Sequence, residues 1–135
     1  MTTIAASALE GVMCSDSGWN DGDSRGTVRK VFRVRGDLIG LAGVLGDIQE
    51  WLRVYRSKKD PSGRNVTAIR LTPAGHIDTW AGGAWCRMEE KFFAIGTGAM
   101  AARGAMMAGA SCKQAAMIAT KIDAGSFGPV RTYRV

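Results

Sequence analysis

Val28-Arg29-Lys30-Val31-Phe32-Arg33-Val34 alternates with a period of two, the mark of a β-strand whose successive side chains point to opposite faces. Val28, Lys30, Phe32 and Val34 then share one face, and Arg29, Val31 and Arg33 the other. Lys30 is out of place there, because an ammonium on an apolar face is expensive to bury without a partner. Toward the N-terminus, Val12-Met13-Cys14-Ser15-Asp16 is a second strand that puts Asp16 on the face of Val12 and Cys14, which makes it the candidate partner. Ahead of it stands Met1-Thr2-Thr3-Ile4. Removal of Met1 would leave Thr2 with a hydroxyl and a free α-amine in one residue, a nucleophile together with its own base. An N-terminal Thr, an inward Asp and an inward Lys are the groups that amide hydrolysis needs.

Outward from these residues the pattern is of hairpins. Thr2 to Ser7 and Val12 to Ser15 flank the turn Leu9-Glu10-Gly11; Arg29 to Val34 and Leu38 to Ala42 flank Arg35-Gly36-Asp37; Val66 to Leu71 and His76 to Trp80 flank Pro73-Ala74-Gly75, each with glycine where a turn wants positive φ. Trp19 to Gly26 is rich in Asp, Gly, Asn and Ser and reads as a loop. Its acids do not make an EF-hand, since Thr27 and Phe32 stand where the closing Glu would be. Gly46 to Lys58 changes to helical period with Ile48, Trp51, Leu52 and Tyr55 on one face. Phe92 to Ile95 is a short strand ending at Gly96-Thr97-Gly98, followed by an Ala/Gly/Met helix over Ala99 to Ala108. Ser111 and Gln114 have capping-box spacing and open a last helix to about Ile122. Pro129 to Val135 alternates again. Hairpins set apart from a pair of helices predict an α+β fold of antiparallel sheets covered by helices.

The 135 residues suffice for one domain with a real core, so residues 1–135 are expected to form a single unit. No apolar stretch is long enough to span a bilayer, and the start lacks a secretory signal's charged and apolar regions, so a cytoplasmic location is expected. Cys14, Cys86 and Cys112 have no CxxC spacing and read as reduced packing residues rather than a disulfide framework or zinc site. The net charge of +6 is spread over strand faces and a helix end, without the aromatic-interleaved basic run of a nucleic-acid module. No nucleic acid, membrane, metal or cofactor is expected.

With these positions set out, the chain resembles the proteasome β-subunit family, nearest to its bacterial HslV type. Thr2-Thr3-Ile4 looks like the mature N-terminus, Gly11-Val-Met-Cys-Ser-Asp16 like the strand ending in the catalytic Asp, and Val28-Arg-Lys30-Val-Phe-Arg like the strand carrying the catalytic Lys. Leu38-Ile-Gly-Leu-Ala-Gly43-Val-Leu-Gly-Asp47 is similar to the segment with the oxyanion glycine, Gly43 here. Phe92-Phe-Ala-Ile-Gly96-Thr-Gly98 is similar to the family's Gly-Ser-Gly segment, and Asp123-Ala-Gly-Ser126 is spaced like its Asp and Ser. The resemblance implies a shortened four-layer αββα sandwich of the N-terminal-nucleophile type, assembled into a homo-oligomeric ring or double ring around a chamber. It implies a threonine endopeptidase acting on peptide or unfolded protein, with room for an ATP-dependent unfoldase as partner. Thr2 would attack, Asp16 would keep Lys30 charged, Gly43 would supply the oxyanion donor, and Thr97, Asp123 and Ser126 would hold the Thr2 amine.

The chain departs from the family in fitting only one helix between Gly46 and Pro61, and in Thr97, which replaces a Ser. With Met1 retained the amine would be blocked. Two rival readings are a non-catalytic proteasome-like structural subunit and a nucleotide-binding loop, since Gly96-Thr97-Gly98-Ala-Met-Ala101 fits GxGxx(G/A) after a strand and before a helix. The latter expects an acid about 20 residues on, at the end of a parallel strand, and the first acid downstream is Asp123, after a capped helix.

Overall fold

The structure is a computed structural model that describes residues 1–135. Its strands are β1 (Ile4–Ser7), β2 (Val12–Ser15), β3 (Gly18–Asn20), β4 (Arg25–Thr27), β5 (Val31–Val34), β6 (Asp37–Gly43), β7 (Val66–Leu71), β8 (Ile77–Ala81), β9 (Ala84–Arg87), β10 (Phe92–Ile95) and β11 (Arg131–Arg134). The helices are α1 (Leu45–Arg56), α2 (Ala99–Met107) and α3 (Cys112–Ile122). One sheet runs β10-β1-β2-β11 and the other β5-β6-β7-β8-β9, while β3 and β4 form a separate ribbon. All pairings are antiparallel.

Three apolar clusters stack these elements into four layers. Ile4, Ala6, Met13 and Ile95 of the first sheet meet Val31, Leu38, Ile69, Leu71 and Ile77 of the second in the central layer. Gly40 lets the sheets close here: a Cβ on it would lie 2.7 Å from an Ile4 methyl. On the far side of the five-stranded sheet, Trp51 and Leu52 of α1 pack on Ile39, Leu41 and Trp80. On the far side of the other, Ala102 and Met106 of α2 and Ala115, Ala116 and Ala119 of α3 pack on Ala5, Cys14 and Ala94. The small residues give the two helices their close approach, and the capping box of Ser111 and Gln114 starts α3 as expected. The αββα sandwich expected from the sequence is the fold.

Three local readings change. Trp19 to Gly26 is not all loop, because Asp21 Oδ1 accepts from the backbone N–H of Asp23 and Ser24 and so folds a tight turn that pairs its flanks as β3 and β4. Strand β9 was not expected; Gly82 and Gly83, both at positive φ, turn β8 back so that Trp80 pairs with Trp85, a Gly-Gly hairpin signal present in the sequence. Of the three cysteines, Cys14 and Cys112 are buried and Cys86 is exposed.

The strand of the opening stretch also begins later than expected. It starts at Val31, which enters the layer between the sheets, while Phe32 and Val34 face α1. Lys30 immediately precedes the strand. Its carbonyl still accepts from Leu41 N at 2.9 Å, and its side chain turns to the end of the sandwich.

Candidate active site

At that end β2 runs out at Ser15 and β5 begins at Val31, one strand from each sheet. Asp16 and Lys30 therefore pair across the sheets rather than between neighbours in one sheet. Lys30 Nζ lies 3.0 and 2.9 Å from the two Asp16 oxygens, and Asp16 is fully buried with Lys30 only 5% exposed. Asp16 also accepts from Thr3 N at 2.9 Å and Phe127 N at 3.1 Å. Burial pushes the Lys30 ammonium below its ordinary value, and the Asp16 carboxylate offsets part of that shift. Lys30 has one further contact, the Met1 carbonyl oxygen at 3.4 Å.

Thr2 reaches the same oxygen: its hydroxyl donates to Met1 O at 2.7 Å. On its other side, Thr2 N donates to Thr97 Oγ1 at 3.2 Å, and Thr97 Oγ1 donates to Asp123 Oδ2 at 2.6 Å. Ser126 Oγ donates to the same Asp123 oxygen at 2.5 Å. Since that hydrogen is committed, Thr3 Oγ1 is the donor in its 2.7 Å contact with Ser126. Burial alone would raise Asp123, but the Ser126 and Thr97 hydroxyls outweigh it and hold the carboxyl below its usual range.

Of the residues expected to hold the Thr2 nitrogen, only Thr97 touches it. Asp123 acts through Thr97, and Ser126 is bound to Thr3 instead. Thr3 is a site residue that sequence reasoning missed: its N–H holds Asp16 and its hydroxyl holds Ser126, but beside Thr2 it reads only as the next residue of a strand.

Gly43 ends β6 at φ +142, and any side chain there would collide with the Asn65 carbonyl, so only glycine fits. It lines both recesses beside Thr2. One, about 220 Å³, is bounded by Thr2, Lys30, Val28, Ile48, Trp19 and Phe127 among others. The second, about 290 Å³, includes Thr2, Asn65, Thr67, Gly96 and Thr97. Gly96 and Gly98 do not shape a phosphate loop. Side chains on them would collide with the Thr2 carbonyl and the Thr3 hydroxyl, and β10 lies antiparallel to β1. The glycines make room for the N-terminal strand, which removes the structural basis for a nucleotide site.

Solved structures share this fold. The chain matches a eukaryotic HslV from Trypanosoma brucei at 20% identity and TM-score 0.78, over 99% of this chain and 100% of that one. It also matches Thiobacillus denitrificans BPH in complex with epoxomicin, at 18% identity and TM-score 0.74, over 99% and 97% of the two chains. BPH alone gives TM-score 0.73 at 18% identity, over 99% of this chain and 96% of that one. No protein-family model and no curated protein matches the chain. The fold is thus that of HslV and BPH, as the resemblance to the proteasome β-subunit family implied.

Proposed function

We propose that the chain is a threonine-type peptidase subunit, with Thr2 as nucleophile once Met1 is removed, working as a homo-oligomeric ring in the cytoplasm on peptide or unfolded protein. The observation that carries this reading is the convergence on the Met1–Thr2 peptide: Thr2 Oγ1 and Lys30 Nζ share the Met1 oxygen, while Thr97 holds Thr2 N.

Loss of Met1 converts that nitrogen into an α-amine with an ordinary pKa near about 8, and frees the hydroxyl from its present acceptor. The Thr2 oxygen then attacks a substrate carbonyl and its proton passes to the amine. Lys30, kept charged by Asp16, favours the developing negative charge, and the Gly43 N–H donates to the oxyanion. Collapse of the adduct expels the leaving amine, which takes the proton, and water later hydrolyses the threonyl ester. Thr97, Asp123 and Ser126 keep the amine and the β1 strand in place throughout.

Assembly into a ring is supported by exposed apolar side chains on the outer helices, among them Met100, Met107 and Ile122, which suit burial in further subunits. An ATP-dependent unfoldase would feed such a chamber. Intact mass tests Met1 removal, and light scattering tests the ring. The decisive measurement is hydrolysis of small peptide amides, with covalent capture by an electrophile that needs both hydroxyl and amine. Thr2→Ala should abolish both, and Thr3→Ala should leave capture intact because its N–H to Asp16 remains. Hydrolysis that persists in ring-assembled Thr2→Ala protein would end the assignment of Thr2 as nucleophile, and processed protein with neither hydrolysis nor capture would leave a non-catalytic structural subunit.

A further inference from the structure

Phe127 takes no part in the chemistry described, yet three features fix its side chain at the cleft. Its backbone N–H is held by Asp16. Its ring lies against Gly18, where an added Cβ would come within 2.6 Å of the ring carbons. The Arg25 guanidinium covers it from the β3–β4 ribbon, 4.6 Å from the ring centroid. The ring is thereby clamped between Gly18 and Arg25, and it lines the 220 Å³ recess that also contains Thr2. Trp19 stands beside it on the same ribbon, and Val28, Val44 and Ile48 line the recess as well. Of the cationic side chains there, Lys30 is paired with Asp16, while Arg29 is exposed among the lining residues.

We infer that Phe127, positioned by Gly18 and Arg25, is an aromatic wall that selects a large apolar or aromatic substrate side chain beside the reacting bond and disfavours basic ones. The assignment rests on the reading of this recess as the peptide cleft. One methylene more or less in an apolar recess changes kcat/KM by roughly 10- to 200-fold, so an aromatic wall favours large side chains over Ala by more than one such step. Arg29 repels Lys and Arg from the same recess.

The test titrates the purified chain with N-acetyl peptide amides ending in Phe, Leu, Ala or Lys, read by NMR, and measures kcat/KM for the matching fluorogenic amides. The unsubstituted protein should prefer Phe and Leu over Ala and reject Lys. Phe127→Ala should lower the Phe-to-Ala ratio about ten-fold or more. Gly18→Ala, whose added Cβ would come within 2.6 Å of the ring and so displace it, should change the Phe-to-Ala ratio; it reports even if Phe127→Ala does not fold. Unchanged ratios in both variants would overturn the assignment. Selective binding without any hydrolysis or capture at Thr2 would sustain the wall while refuting the peptidase reading, so the two failures are distinguishable.

Discussion

Asp16 and Asp78 are both buried, both paired with cations, and differ in everything that surrounds them. Asp78 sits in the middle of a sheet. Arg70, Asp78 and Arg87 are successive register partners across β7, β8 and β9, and the two guanidinium groups fork onto its oxygens at 2.8 to 2.9 Å. Arg70 also lies over the Trp85 ring. Beyond the sheet, Arg70 has one further contact, donating to the Tyr55 hydroxyl of α1 at 3.3 Å. Asp16 lies where two sheets end, takes its donors from Thr3, Lys30 and Phe127, and its cation has a further contact outside the pair, the Met1 carbonyl oxygen that the Thr2 hydroxyl shares. An Arg fork on a strand row fastens a sheet; a single Lys at the open end of a sandwich keeps a charge available.

The largest expected effect separates the two. Lys30→Met should lower peptide-amide kcat/KM by about 10² to 10⁴, the range for losing a group that acts on the reacting proton or oxyanion. Circular dichroism should still show a folded chain, because Asp16 keeps the Thr3 and Phe127 N–H donors. A comparable loss of activity in Asp78→Asn would break the contrast.

That contrast was only half legible in the sequence. Lys30 stood out because an ammonium among Val and Phe demands a partner, and Asp16 was the nearest inward acid, so the pair could be read from alternation alone. The cross-sheet geometry could not, since a period of two says which face a side chain takes but not which sheet will face it. The start of β5 at Val31, after Lys30 rather than before it, likewise left no trace in the pattern. Asp78 gave no signal, because Arg70 and Arg87 become its neighbours only through a register set by two hairpins, one of them closed by the overlooked Gly82-Gly83 turn. The spacing of Trp51, Leu52 and the Ala-rich helices showed that each helix covers a sheet with one face, while the four-layer order came from the family resemblance. Ser126 was placed on the wrong threonine: an Asp-x-x-Ser spacing fixes that Ser126 reaches Asp123, but not which hydroxyl lies beyond it.

A smaller effect is expected from Asp78→Asn itself. Removing the charge weakens two forked contacts at a 2% exposed carboxyl and should lower stability by about 1–3 kcal/mol, seen as a reduced urea midpoint with peptide-amide turnover unchanged. A midpoint that does not move would mean that Arg70 is held by Trp85 and Tyr55 alone, and that the cluster adds order but little stability.

The pH response sharpens the comparison on the alkaline side. Lys30 has a folded-state pKa below its ordinary 10.5, so the folded chain holds fewer protons than the unfolded one between the lowered value and 10.5. Stability contributed by this group should therefore rise with pH across that window. Activity that requires the ammonium should fall across the same window. Opposite slopes, with the alkaline limb of kcat/KM below the ordinary lysine range, are the expected signature. Parallel slopes would show that Lys30 is a structural cation like Arg70.

The smallest effect lies at acid pH and belongs to Asp78. Burial would raise its pKa, but hydrogen bonds from Arg87 and Arg70 more than offset this and hold it below the ordinary 3.8. A depressed carboxylate contributes stability that is present above its unfolded value and lost as pH falls through the folded one. Urea midpoints followed downward from pH 5 should decline below about pH 4, and Asp78→Asn should flatten that decline while leaving the alkaline limb of activity where Lys30 sets it. If the acid decline is as steep in Asp78→Asn as in the unsubstituted protein, the outer cluster carries no linkage of its own. The acid sensitivity would then belong to Asp123 at the open end of the sandwich, since its carboxyl is also held below the usual range by Ser126 and Thr97.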